Sequence, residues 1–180
     1  MPHPLPQGPD VTCPVIRTDF TDSVGWLRVI EALEAPVAVK DAYDGPGSGP
    51  NPENADHADW FTSAIDYVTP VNDVHYEGIA AADVTALAPA AHELGYGHLY
   101  LADAQTFASP GLPLLGIDID PEQERVAAFR IPAHAVSAIE TNEELGNMFF
   151  AEYREYEWQP GDLVVASRET AVWQAYRDLQ

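Results

Sequence analysis

Three aspartates offer the most accessible chemistry in this chain. Asp19 and Asp22 follow a strand-favouring run, Val15-Ile16-Arg17-Thr18, and Asp103 follows a second, His98-Leu99-Tyr100-Leu101-Ala102. If the two runs are parallel neighbours in one sheet, Asp19 and Asp103 share the rim made by the strands' carboxyl ends, where α/β domains usually hold their ligands. A carboxylate pair there resembles the acidic pockets that hold Mg²⁺ in phosphoryl-transfer domains, so a metal-assisted phosphoesterase is the best enzymatic candidate. Those pockets normally bring a lysine as well, and Lys40, the only lysine, is poorly placed for that role. The competing reading is local and is preferred: Asp22 caps the helix that follows it, Asp19 belongs to the turn, and Asp103 caps the turn at residues 104–106.

Other polar groups offer weaker chemistry. His57, with Asp56 and Asp59, has a spacing a metal could use, but surface His and Asp mix freely in loops. Asn142 and Asn147 fall in a helical pattern where asparagine is unfavourable, and a structural bridge to a neighbouring loop is the simpler explanation. Cys13 is the only cysteine, which excludes an intramolecular disulfide and favours a reducing compartment. Its simplest role is small apolar filler beside the first strand. No glycine-rich phosphate loop, Gly-x-Ser-x-Gly elbow or paired helical histidines are visible, so no cofactor or metal is expected and a non-enzymatic role is favoured.

The elements that must position these residues begin with a strand, turn and helix over residues 14–36, in which Trp26, Val29, Ile30 and Leu33 share one helical face. Residues 1–11, with four prolines and a glycine, read as a flexible lead-in. Residues 41–59 form a long loop inserted into the domain, rich in Gly, Pro and acids. Residues 61–69 read as a second strand closed by Pro70, residues 80–92 as a short helix carrying Val84 and Leu87, and residues 98–103 as a third strand. A βαβαβ core follows. Residues 114–118 and 125–131 read as an antiparallel hairpin, and Pro132 opens the next helix with Val136 and Ile139 buried. Thr141 and Glu144 have capping-box spacing for a further helix through Tyr156, placing Leu145, Met148, Phe149 and Tyr153 near one face. The fold class is therefore α/β: one domain over residues 12–157, a mixed sheet with helices on both faces, and a docked C-terminal extension at 158–180.

Composition narrows the function further. The formal charge is -21, from 29 acidic residues against 8 basic ones. Such a field repels phosphate backbones, so nucleic acid is not an expected partner. No apolar stretch reaches the ~20 residues needed to span a bilayer and no secretory signal is visible, so no membrane association and a cytoplasmic location are expected. The acidity serves either solubility or attraction to a basic partner, with Tyr43, Trp60 and Tyr76 as aromatic anchors around the long loops.

Four segments carry a family resemblance: Val15-Ile16-Arg17-Thr18-Asp19-Phe20, then Leu99-Tyr100-Leu101-Ala102-Asp103, then Phe129-Arg130-Ile131, and finally Glu140-Thr141-Asn142 through Asn147-Met148-Phe149-Phe150. In order and spacing this chain resembles a bacterial domain of unknown function, number six-nine-two-four in its series, over residues 14–156. The resemblance implies a fold and a compartment but no activity. The candidate binding residues are then Arg17, Asp19, Asp22, Asp103, Glu140, Asn142 and Asn147. The functional expectation is a non-catalytic, immunity-like or regulatory module that binds a basic protein.

Overall fold

The structure, a computed structural model, describes residues 5–6, 12–35, 37–38, 61–86, 97–119, 128–146 and 148–156. The long loop at 41–59 with His57, the anchors Tyr43 and Trp60, Asn147 and the tail at 158–180 lie outside the described residues. Strand β1 (Cys13–Arg17) is buried on both sides after its first residue, which is why it reads as an unbroken apolar run. Helix α1 (Ser23–Glu34) starts where the Asp22 carboxylate accepts the Gly25 N–H, and it buries Trp26, Val29 and Leu33 at the spacing the sequence shows.

Strands β2 (Val37–Ala38) and β3 (Phe61–Thr62) form a small antiparallel sheet of their own. The second strand expected over 61–69 is thus two pieces. Ser63 and Asp66 cap each other around a 3-10 turn at Ala64–Asp66, which stops β3, and β4 (Val68–Val71) begins beyond it. Pro70 does not close β4 but lies inside it, which is tolerated because β4 is an edge strand. After α2 (Ala81–Ala86) come β5 (His98–Ala102), the short α3 (Ala104–Ala108), β6 (Pro113–Asp118), β7 (Ala128–Pro132) and α4 (Val136–Glu144).

The main sheet has the order β4-β1-β5-β6-β7. The first three strands are parallel, and β5, β6 and β7 run antiparallel, so the protein is an α/β fold on a five-stranded mixed sheet. Between β1 and β4 the chain passes through α1 and the separate β2–β3 pair, which the sequence does not announce. One apolar cluster joins Val15, Tyr100, Leu114 and Phe129 of the sheet to Trp26, Val29 and Leu33 of α1 and to Val136 and Ile139 of α4. A second joins Ile16, Leu99, Leu101 and Ile117 to Val84 of α2 and to Tyr76, Ile79 and Leu5. The alternation of Leu99, Tyr100 and Leu101 between the clusters is the period-2 geometry of a strand covered on both faces. Two expectations change here. Leu5, within the segment read as a lead-in, is buried, and so is Tyr76, which cannot serve as a surface anchor.

The helix expected to begin at Thr141 is also different. Pro132 ends β7, a 3-10 turn at Ala133–Ala135 follows, and α4 starts at Val136, so Thr141 and Glu144 fall in its last turns rather than in a capping box. Gly146, at φ +68, closes α4 through its N–H to the Glu143 carbonyl, at 2.9 Å. Residues Phe150–Tyr156 then form a 3-10 helix. The changed boundary is what places Glu140 in mid-helix with its side chain turned inward.

Candidate functional site

The rim residues are each held by local partners. Arg17 is buried: its Nε donates to the Asp19 carbonyl at 2.9 Å, its Nη1 to Asn72 Oδ1 at 3.2 Å and its Nη2 to Ser23 Oγ at 3.3 Å, with the guanidinium over the Phe20 ring. Asp19 Oδ1 accepts the Thr21 N–H at 2.8 Å and its hydroxyl at 2.6 Å, a side-chain turn motif. Asp22 caps α1, accepting the Gly25 N–H at 2.7 Å. A Cβ at Gly25 would stand 2.7 Å from Asp22 Oδ2 and 2.9 Å from the Phe107 ring, so this cap needs glycine there.

Asp103 does more than cap. It accepts the Thr106 N–H at 3.0 Å and also takes both Arg130 guanidinium nitrogens, Nη2 at 2.6 Å and Nη1 at 2.9 Å. Pairing of Arg17 with Ala102 puts Asp19 and Asp103 just past the ends of neighbouring parallel strands. Even so, Asp19, Asp22 and Asp103 are not brought together as a three-ligand set among the described residues. Asn142 donates to the Ala138 carbonyl of its own helix at 2.8 Å, and its side chain also hydrogen-bonds Tyr153 of the 3-10 segment that follows.

Glu140 belongs to a different assembly, and it is the one the fold builds with most care. His98, Tyr100 and Ala102 share one face of β5, and α4 crosses that face with Val136, Ile139, Glu140 and Glu143 in a helical stripe. Position 140 is where an apolar residue is expected, yet a carboxylate stands there at 8% exposure, facing His98 at 6%. His98 Nε2 lies 2.7 Å from Glu140 Oε1, and the Tyr100 hydroxyl donates to the same oxygen at 2.5 Å. His98 Nδ1 approaches Glu143 Oε2 at 3.0 Å, an ion-pair distance without hydrogen-bond alignment. On neighbouring β1, the Cys13 thiol donates to the His98 carbonyl at 3.4 Å. Phe150 stacks on the imidazole at 4.2 Å between centroids and roofs the cluster. Gly116 makes room for that roof, because a Cβ there would stand 2.7 Å from Phe150 Cζ.

Electrostatics follow from this burial. Burial pushes the Cys13 thiol up to about 12, against a smaller opposing pull from His98, so it is a neutral thiol and not a ready nucleophile. Burial disfavours the imidazolium of His98, but the Glu140 carboxylate bonded to it outweighs this and holds the pKa well above its ordinary value. Tyr100 is raised by burial first and by Glu140 next, which keeps its hydroxyl a donor. The donor atoms of Cys13, His98 and Glu140 all lie within 4.8 Å of one another, the one set of three possible metal ligands among the described residues.

Only Glu140 of this cluster is among the residues the sequence points to. Cys13 lies 85 residues from His98, and His98 lies 42 from Glu140, so no motif spacing joins them. The available signals were a histidine in phase with Tyr100 on a buried strand and a glutamate in phase with Val136 and Ile139 on a buried helix face.

Comparison with known proteins adds a family. No curated protein and no solved structure matches the chain. The family described as a domain of unknown function, DUF6924, matches residues 12–161, a span that includes the rim and every member of the buried cluster. The chain belongs to that DUF6924 family.

Proposed function

We propose that the protein is a non-catalytic binding module, immunity-like or regulatory, that recognises a basic partner protein. The observation that carries this reading is a pair of exposed apolar side chains set among carboxylates. Leu145, just past the end of α4, is 59% exposed, and Phe149, at the start of the next turn, is 71% exposed. Glu144 and Glu152 are exposed in the same short segment, and Glu152 accepts the Phe149 N–H at 2.6 Å, which fixes the backbone there. An aromatic anchor with an acidic surround suits a cationic surface bearing an apolar socket. The internal use of Arg17 and Arg130, on Asn72 and Asp103 respectively, supports this by leaving exposed acids such as Glu31, Glu34 and Glu77 in excess over the exposed cations Arg28 and Arg154 among the described residues. A cytoplasmic setting fits a chain with one cysteine.

The alternative, a metal-assisted phosphoesterase on Asp19, Asp22 and Asp103, has less behind it, since each carboxylate is committed to its own turn, cap or ion pair. The test is affinity capture with the full chain, followed by titration of the purified captured protein. A basic protein whose affinity falls steeply with added salt, and at least about tenfold in Phe149→Ala, is expected. Binding indifferent to both salt and Phe149→Ala would sink the proposal.

A further inference from the structure

We propose that Cys13, His98 and Glu140 form a binding site for a thiophilic divalent cation of the Zn²⁺ class. This goes beyond partner recognition and does not rest on it. The donor set is one thiol sulfur, one imidazole nitrogen and one carboxylate oxygen, a combination that favours borderline-soft ions over Mg²⁺ or Ca²⁺, which take oxygen. Three protein donors leave one tetrahedral position for water or another ligand.

The surroundings are those of a prepared site. With the ion between Nε2 and Glu140, which stand 2.7 Å apart, the other imidazole nitrogen, Nδ1, keeps the Glu143 carboxylate at 3.0 Å. Such outer carboxylates orient a ligating histidine and raise its basicity. The Tyr100 hydroxyl holds the same Glu140 oxygen that faces His98, and Phe150 excludes solvent from the ring face. Glu143 is 31% exposed and marks the route to solvent. A structural ion pair alone would need neither a sulfur within 4.8 Å nor a second carboxylate at the histidine.

Ligands about 2.0–2.3 Å from a tetrahedral ion stand about 3.3–3.6 Å apart. The ion therefore replaces the proton between His98 and Glu140, pushing those two slightly apart while the sulfur closes in. On binding, the Cys13 S–H bond breaks, a metal–sulfur bond forms, and the thiol proton and the proton shared by His98 and Glu140 leave to solvent. No electrons are transferred.

Co²⁺ is the probe, because Co²⁺ bound to thiolate absorbs in the near ultraviolet and Cys13 is the only cysteine. The full chain, reduced and freed of metal by a chelator, is titrated with Co²⁺ alone. The expected result is a thiolate charge-transfer band that saturates at one ion per chain, is bleached by Zn²⁺, and is absent in Cys13→Ser. In Glu140→Gln, which retains the sulfur and a hydrogen-bond acceptor, half-saturation should need at least about tenfold more Co²⁺. The wild-type titration decides the matter even if a variant fails to fold. Absence of the band, saturation at half an ion per chain, or a Zn²⁺-dependent rise in Tm undiminished in Cys13→Ser would overturn the site.

Discussion

Asp103 carries two duties that pull differently on a substitution. As the cap of α3 it needs only a short side-chain acceptor, and asparagine serves there nearly as well. As the partner of Arg130 it needs a charge, since the guanidinium is held in a bidentate pair with side-chain exposures of 13% and 29% for Arg130 and Asp103. Asp103→Asn should therefore cost about 2 kcal/mol in urea unfolding, against less than about 1 kcal/mol for Asp22→Asn, which loses only cap strength. Acid provides an internal check. Burial raises the Asp103 carboxyl, but bonds from Arg130 and the Thr106 N–H outweigh it and hold the pKa below the ordinary 3.8. A folded pKa below the unfolded one gives stability that is complete above about pH 4 and lost as pH falls through the lowered value. The gap between wild type and Asp103→Asn should thus close on acidification. A gap that stays constant from neutral to acid pH would assign the effect to the cap alone.

At the level of elements, the buried cluster depends on how a strand, a helix and a 3-10 segment close over one another. Strand β5 delivers His98 and Tyr100 to the same face, α4 lays Glu140 across them, and the segment Phe150–Tyr156 returns Phe150 as a roof. The roof reaches the ring because Gly116, opposite Tyr100 on β6, has no side chain. Gly116→Ala would place a carbon 2.7 Å from Phe150 and 2.8 Å from Ile131, so one of them must move. A loss of about 1–3 kcal/mol in denaturant unfolding is expected, with increased solvent access to His98 seen in its NMR exchange. A neutral substitution would mean that Phe150 does not pack there in solution.

For the whole molecule, charge is the dominant property. With a formal -21 and Arg17 and Arg130 engaged internally, the exposed cations Arg28 and Arg154 of the described surface stand against a large excess of carboxylates, an arrangement unsuited to neutralising a run of phosphates. Duplex DNA and RNA should produce no mobility shift at physiological salt, and a shift that fades steeply with added salt would contradict this. Among the described residues no helix is long and apolar enough to cross a membrane.

What the chain settles by itself is local and periodic. The strand, turn and helix from Cys13 to Glu34 are legible because burial on both strand faces, an Asp cap and a helical apolar stripe all act within a few residues. The β6–β7 hairpin is legible for the same reason, and net charge needs no structure at all. The break of the second strand at Ser63 and Asp66 and the continuation of α4 through Thr141 to Glu144 escaped, because caps of similar spacing compete and only packing selects among them. The cluster of Cys13, His98 and Glu140 lay further out of reach. Its members are ordinary residues on three separate elements, and they meet only because β1 and β5 are parallel neighbours and Glu140 of α4 reaches both Cys13 and His98, a consequence of long-range pairing and burial that no local spacing encodes.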